Sequence, residues 1–318
     1  MIYVMCPYQS VSGGPELAHQ FCYIANLIAQ KEIAKICYID TSSDDCISSR
    51  SVDAPAPTAY HKYETHHATT PGEVDCEGNI VIVPEGLTCQ IQELHRSTIC
   101  LWWMSVDNYK LATNEVDLPL LRKKVHHHLL QSQYAKEYVL QNFTTPSLFW
   151  LTDYINTEHG TFLYPADLRN DVALYNPKKG YQTLEKVMEK VNWIKWIPLY
   201  NLTIEDEIIL MQSSKIYVDF GHHPGKDRIP REAAVNGCCV ITNREGSAAY
   251  NEDVPIPSEY KYAHPLSELD SIDALMKDIC QNFPQHQAQF ASYRSWIKGE
   301  TDRFMDEVAH LLSSLHIL

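Results

Sequence analysis

The stretch from Lys215 to Ile241, KIYVDFGHHPGKDRIPREAAVNGCCVI, concentrates the side chains able to do chemistry. Lys226 and Arg228 follow Gly225 in a breaker-rich segment that also holds His222, His223 and Pro224. A glycine and two cations just ahead of the N–H groups of a short helix suit an anion such as a diphosphate. NPKKG repeats this recipe, with Lys178 and Lys179 before a helix expected from about Tyr181 to Lys190; the alternative there is a solvated turn. TNREGSAAY offers Gly246 and Ser247 at a third helix start. In the first half, SGGPELAHQ puts Gly13 and Gly14 in a tight turn, with Glu16 and His19 on the helix after it; a plain strand-to-helix connection reads the same way. STICLWWM runs into SVDNY, so Asp107 falls just past a strand end, where a short carboxylate can act as a base. Asp107-Asn108 is also the composition of a simple turn.

These groups need a frame to bring them together. Lys215 to Asp219 is a β-branched and aromatic run that stops at Phe220-Gly221, which predicts a buried strand ending in a turn. Pro230 suits the first turn of a helix, Gly237 its stop, and Cys238 to Ile241 the next strand. Strand, loop, helix and strand make a parallel crossover, and open α/β sheets bind ligands outside the carboxyl ends of their strands. Further strands are expected at 2–5, 36–39, 79–84, 97–104, 125–131, 148–151, 171–175 and 193–198. Helices are expected at about 15–30, 134–141 (capped by Ser132) and from Thr203 to Gln212, with two more in the tail from Leu266.

The 318 residues suffice for two domains, 1–155 and 156–318, joined by a breaker-rich linker from Asp153 to Arg169. The formal charge of −14 divides evenly, with 10 Lys+Arg against 17 Asp+Glu in residues 1–155 and 16 against 23 in the rest. Neither half is basic enough for a nucleic-acid binder. No apolar run approaches the roughly 20 residues that span a bilayer, so a soluble, cytoplasmic protein is expected, with peripheral membrane contact left open. Ten cysteines without a C-x-x-C pair predict reduced, buried thiols and no zinc site. His126-His127-His128 alternates across a strand and cannot converge on one metal.

The pattern KIYVDFG…PG.DR.PREAA..GC.VI, in which dots stand for any residue, resembles the donor-nucleotide half of the GT-B glycosyltransferases. The resemblance implies two Rossmann-like α/β domains facing each other across a cleft. It also implies a nucleotide-sugar donor held by the second domain and a glycan or lipid-linked glycan acceptor held by the first, as in surface-polysaccharide synthesis. Glu232 takes the position of the helix glutamate that binds the donor ribose. Gly13, Gly14, Lys178, Lys179, His223, Gly225, Lys226, Arg228, Gly246 and Ser247 complete the implied donor site. Asp107, Glu16 and His19 are the implied catalytic candidates. Retaining members carry a second glutamate eight residues before the first, where this chain has Pro224, so the stereochemical outcome stays open. No cofactor and no metal are implied, since side-chain cations can neutralise the diphosphate. Two other readings keep the nucleotide site: a sugar-nucleotide epimerase or hydrolase, and a non-catalytic sugar-nucleotide-binding homologue.

Overall fold

The computed structural model describes residues 1–41, 53–111 and 118–318. They form two compact units, Met1–Asp153 with Asp302–Leu318, and Tyr154–Thr301. The break thus falls two residues earlier than expected, and the chain end belongs to the first unit instead of the second. Much of the expected linker is built into the second unit: buried Arg169 donates to the carbonyls of Met211 (3.1 Å) and Ser214 (2.9 Å).

In the first unit the elements run β1 (Ile2–Pro7), α1 (Gly13–Ala29), β2 (Ala34–Ile39), β3 (Ile80–Pro84), β4 (Thr98–Trp103), α2 (Val106–Leu111), α3 (Leu118–Lys124), β5 (His127–Leu130), α4 (Gln133–Asn142) and β6 (Leu148–Trp150). All neighbours are parallel, in the order β2-β1-β3-β4-β5-β6. IYVMC and IVIV are buried at every position, as strands covered on both faces must be. Ser132 Oγ accepts from the Ala135 N–H at 3.1 Å and caps α4. His128 is buried and accepts from Trp103 Nε1 at 3.0 Å, so the histidine run is strand packing as expected. Eight cysteines are free thiols, but Cys89 is disulfide-bonded, against the expectation of wholly reduced cysteines; Cys46 lies outside the described residues.

The second unit runs β7 (Asn170–Tyr175), α5 (Tyr181–Lys190), β8 (Lys195–Pro198), α6 (Ile204–Ser213), β9 (Ser214–Asp219), α7 (Arg228–Val235), β10 (Cys239–Asn243) and β11 (Lys261–Tyr262). Its five parallel strands lie in the order β11-β10-β9-β7-β8. The chain leaves β7 for β8 on one side and comes back to β9 on the other. The switch point therefore lies between the carboxyl ends of β7 and β9, where an open α/β sheet presents its crevice. The tail is four helical segments rather than two: α8 (Leu269–Gln281), α9 (Phe283–Gln289), α10 (Ala291–Lys298) and α11 (Glu300–Ser314). Pro284, which lacks an N–H, fits only the first turn of α9, and Gly299 separates α10 from α11. Further along α11, Phe304, Val308, Leu311 and Leu312 are buried. Glu307 of the same helix accepts from Thr152 N at 2.7 Å and Oγ1 at 2.8 Å within the first unit.

Candidate functional site at the strand ends of the second unit

Three loops leave the adjacent carboxyl ends of β7, β9 and β10 and are stitched together there. Asn243, last residue of β10, donates from Nδ2 to the carbonyls of Phe220 and Gly221, both at 3.0 Å. Ser247 donates from its backbone N–H to the His223 carbonyl (2.9 Å) and from Oγ to the Gly225 carbonyl (2.6 Å). Gly246 has φ +58°, and a Cβ there would stand 1.9 Å from the His223 carbonyl oxygen, so the turn accepts only glycine. Gly180 is held as tightly: its φ is +67° and a Cβ would meet the Gly221 nitrogen at 2.4 Å. Of the sequence-predicted residues, the structure brings Lys179, His223, Gly225, Lys226, Gly246 and Ser247 into this one constellation. Glu232 and Arg228 lie on the helix that leads away from it.

Charge is distributed less simply than the sequence suggests. Lys179 passes beneath Gly221 and ends in an ion pair with Asp227, 3.6 Å from Asp219 Oδ2. Asp219 is tied down by the Gly221 N–H and the Tyr217 hydroxyl, each at 3.0 Å. His223 is fully buried, with Nδ1 2.8 Å from Asp227 Oδ2 and Nε2 3.8 Å from Asp219 Oδ1. Burial alone would raise the Asp227 carboxyl, but His223 and Lys179 outweigh it and hold it down at about 2. Burial likewise pulls on Lys179, and the two carboxylates overcome it and keep the ammonium above its ordinary value. Asp219, His223 and Asp227 are, among the described residues, a group whose ligand atoms lie close enough to hold a metal, all within 4.8 Å of one another. The Lys179 ammonium already supplies the positive charge in that position.

Lys226 is also engaged. It is buried, its Nζ lies 2.9 Å from Glu300 Oε1, and it stands over the Trp296 ring at 4.4 Å. Arg231 Nη1 binds the other oxygen of Glu300 at 2.8 Å, and its remaining nitrogens donate to the carbonyls of Lys226 (2.9 Å) and Asp227 (3.1 Å). Glu300 therefore pins the carboxyl end of the cationic loop and the first turn of α7 onto the tail helices. Sequence reading missed Arg231 and Glu300, because their partnership spans 69 residues and leaves no local pattern. Lys178, in contrast, is exposed, with its ammonium 5.9 Å from the Tyr200 ring centroid.

Glu232, mostly buried on α7, faces His159, whose Nε2 lies 3.9 Å from Oε1. His159 comes from the segment expected to be a bare linker.

The remaining candidates lie in the first unit. Glu16 accepts from the Tyr63 hydroxyl at 2.7 Å and pairs with Lys62 at 3.0 Å. His19 is fully buried, with Nδ1 2.5 Å from Thr65 Oγ1, Nε2 3.2 Å from the Tyr38 hydroxyl, and its ring stacked on Tyr60. Burial lowers it to about 4, which keeps the ring neutral at ordinary pH. Asp107 lies in the first turn of α2 rather than in a loop, and accepts from the Tyr134 hydroxyl at 3.1 Å. Gly13 opens α1, and Gly14 comes close to Met104 at the end of β4. Glu85, unremarked in the sequence, accepts from Met104 N (2.9 Å), Ser105 N (3.0 Å) and Asn108 Nδ2 (3.3 Å), fixing the turn that presents Asp107.

No family model and no curated protein matches the chain by sequence. Solved structures do. Sucrose-phosphate synthase from Thermosynechococcus elongatus superposes with a TM-score of 0.66 at 12% identity, over 99% of each chain. HepE of Anabaena, in complex with UDP, superposes with a TM-score of 0.68 at 10% identity, over 99% of this chain and 100% of that one. This chain has the GT-B fold. The kitacinnamycin glycotransferase shares that fold over 97% of this chain and 98% of its own, with a TM-score of 0.53 at 10% identity. The GT-B assignment agrees with two all-parallel sheets of six and five strands and with the switch point at β7 and β9. Among the described residues, no helix is long and apolar enough to cross a membrane.

Proposed function

We propose that the chain is a glycosyltransferase that moves a sugar from a nucleotide-sugar donor to a hydroxyl of a glycan or lipid-linked glycan acceptor, in the cytoplasm, as a step of surface-polysaccharide synthesis. The observation that carries the reading is the convergence of three glycine-hinged loops on the switch point of the second unit, with Glu232 on the helix that follows. The Anabaena structure, of the same fold, is a complex with UDP, which supports a nucleoside diphosphate as the ligand of those loops.

In this reading Glu232 binds the ribose hydroxyls. Lys179 and Lys226 pair with Asp227 and Glu300 and shape the loops, while the exposed Lys178 and the first turn of α7 with Arg228 supply charge to the diphosphate. Catalysis is then positioning and charge stabilisation of the departing diphosphate. If the reaction inverts, Asp107 removes the acceptor proton. The reading includes metal independence, which is supported by the Lys179 ammonium standing among Asp219, His223 and Asp227.

Incubation with a panel of nucleotide sugars, with and without glycan acceptors, tests it. Acceptor-dependent release of nucleoside diphosphate is the expected result. Release or isomerisation that ignores the acceptor would move the chain to the hydrolase or epimerase reading, and binding without turnover to the non-catalytic one.

A further inference from the structure

The segment before β7 brings one more residue to α7. Gly160 has φ +71°, and a Cβ there would stand 2.4 Å from Val235 Cγ2, so residues 159–160 lie directly on the end of that helix. The contact is polar as well as close. Asn236 Oδ1 accepts from the Gly160 N–H at 3.2 Å, while Asn236 Nδ2 donates to the Glu232 carbonyl at 2.9 Å and lies 2.9 Å from His159 Nδ1. The backbone N–H on one side and the carbonyl on the other leave Asn236 a single amide orientation, with its nitrogen toward His159. Nδ1 must then accept, so the proton of the neutral ring sits on Nε2, and Nε2 faces Glu232 Oε1 at 3.9 Å. Desolvation lowers His159 to about 4, which keeps it neutral at ordinary pH. Asn236 is wholly buried and His159 nearly so.

We infer that His159, set in its tautomer by Asn236, is a positioning residue for Glu232: its Nε2–H dipole, 3.9 Å from Oε1 and so beyond hydrogen-bond distance, biases the carboxylate's orientation for the ribose diol. The inference rests on the proposed role of Glu232. The arrangement parallels the way a second group fixes the tautomer of a functional histidine. Here, however, the histidine serves the carboxylate.

The test measures calorimetric affinities for UDP, GDP and ADP and for their 2′,3′-dideoxy counterparts. The readout is the ratio between each pair, which isolates the ribose hydroxyls from base and diphosphate. In the wild type this ratio should be roughly 10- to 100-fold for the preferred base, as for hydrogen bonds to a charged group. Glu232→Ala should bring it to near one. His159→Leu should lower it about 3- to 10-fold, His159→Gln, whose amide N–H reaches the place of Nε2, should restore most of it, and Glu232→Ala combined with His159→Leu should lose no more than Glu232→Ala alone. An unchanged ratio in Glu232→Ala, or no binding of any diphosphate, would overturn the ribose reading and this inference with it. A collapsed ratio in Glu232→Ala beside an unchanged one in His159→Leu would overturn the positioning role alone. So would equal loss in His159→Leu and His159→Gln.

Discussion

At Asp227 two carboxylates, the Lys179 ammonium and the His223 ring share a few ångströms of desolvated space, and Asp227 is the carboxylate that both Lys179 and His223 hold most closely. Asp227→Asn keeps the shape and removes the charge that Lys179 and His223 face. A carboxyl held near 2, against roughly 3.9 in an unfolded chain, corresponds to about 2–3 kcal/mol of stability. Because the folded value is the lower one, that contribution is present above about pH 4 and disappears as pH falls toward 2. Urea unfolding at pH 7 should show the loss in Asp227→Asn, and the gap to the wild type should close at pH 2; a gap that persists at pH 2 would point to a packing cause. Asp107 makes a different prediction. General-base catalysis contributes roughly 100- to 10,000-fold, so Asp107→Asn should lower turnover on that scale with donor affinity unchanged. Near-wild-type turnover of the folded variant would reduce Asp107 to the partner of Tyr134.

The sequence made some residues easy to read and hid others. The glycines and cations of 221–228 and 178–180 were visible because turns and charges are local. Which lysine is held by which carboxylate was not: Glu300 reaches Lys226 and Arg231 only after the tail folds back onto α7, and no spacing in the chain announces it.

Elements were legible wherever the physics is local. Runs such as IVIV in β3 and IYV in β9 declare parallel strands by being buried at every position, and Ser132 and Thr203 declare helix starts because their hydroxyls accept from the Ala135 and Asp206 N–H groups. The short 3-10 segments Thr58–Tyr63 and Glu85–Glu93 were not legible, since they carry no hydrophobic period of their own and owe their shape to the strands they connect. The junctions between elements make the sharpest prediction. At Gly246 a methyl group has no place, and the positive φ adds backbone strain. Gly246→Ala should therefore cost about 2 kcal/mol or more and weaken diphosphate binding more than tenfold by shifting the loop of Gly225. Calorimetry on Gly246→Ala showing wild-type affinity would separate this turn from the ligand site.

Across the whole molecule, buried neutral histidines set the acid limit. His19, His128 and His159 are each lowered by burial to about 4, from an ordinary 6.5. Between those values the unfolded chain binds more protons than the folded one, so stability is complete above about pH 6.5 and falls as pH drops toward 4. Urea midpoints measured from pH 7.5 to 4 should decline mainly in that window, and a flat profile would mean the rings gain protons without unfolding. The fold as a whole was readable from one crossover and the order of its strands. The domain assignment of the last helix was not, because its apolar face at Phe304, Val308 and Leu311 fits any apolar surface equally well. The central claim is that the strand ends of the second unit bind a nucleoside diphosphate, and thermal unfolding with UDP, GDP, ADP and their nucleosides tests it most directly. A ligand at 100 times its Kd adds about 2.7 kcal/mol to the folded state, which corresponds to roughly 5–10 °C for units of this size. One diphosphate should raise the Tm by that amount in the wild type and far less in Glu232→Ala, with no shift from the nucleoside alone; a wild-type Tm indifferent to all three diphosphates would contradict the account.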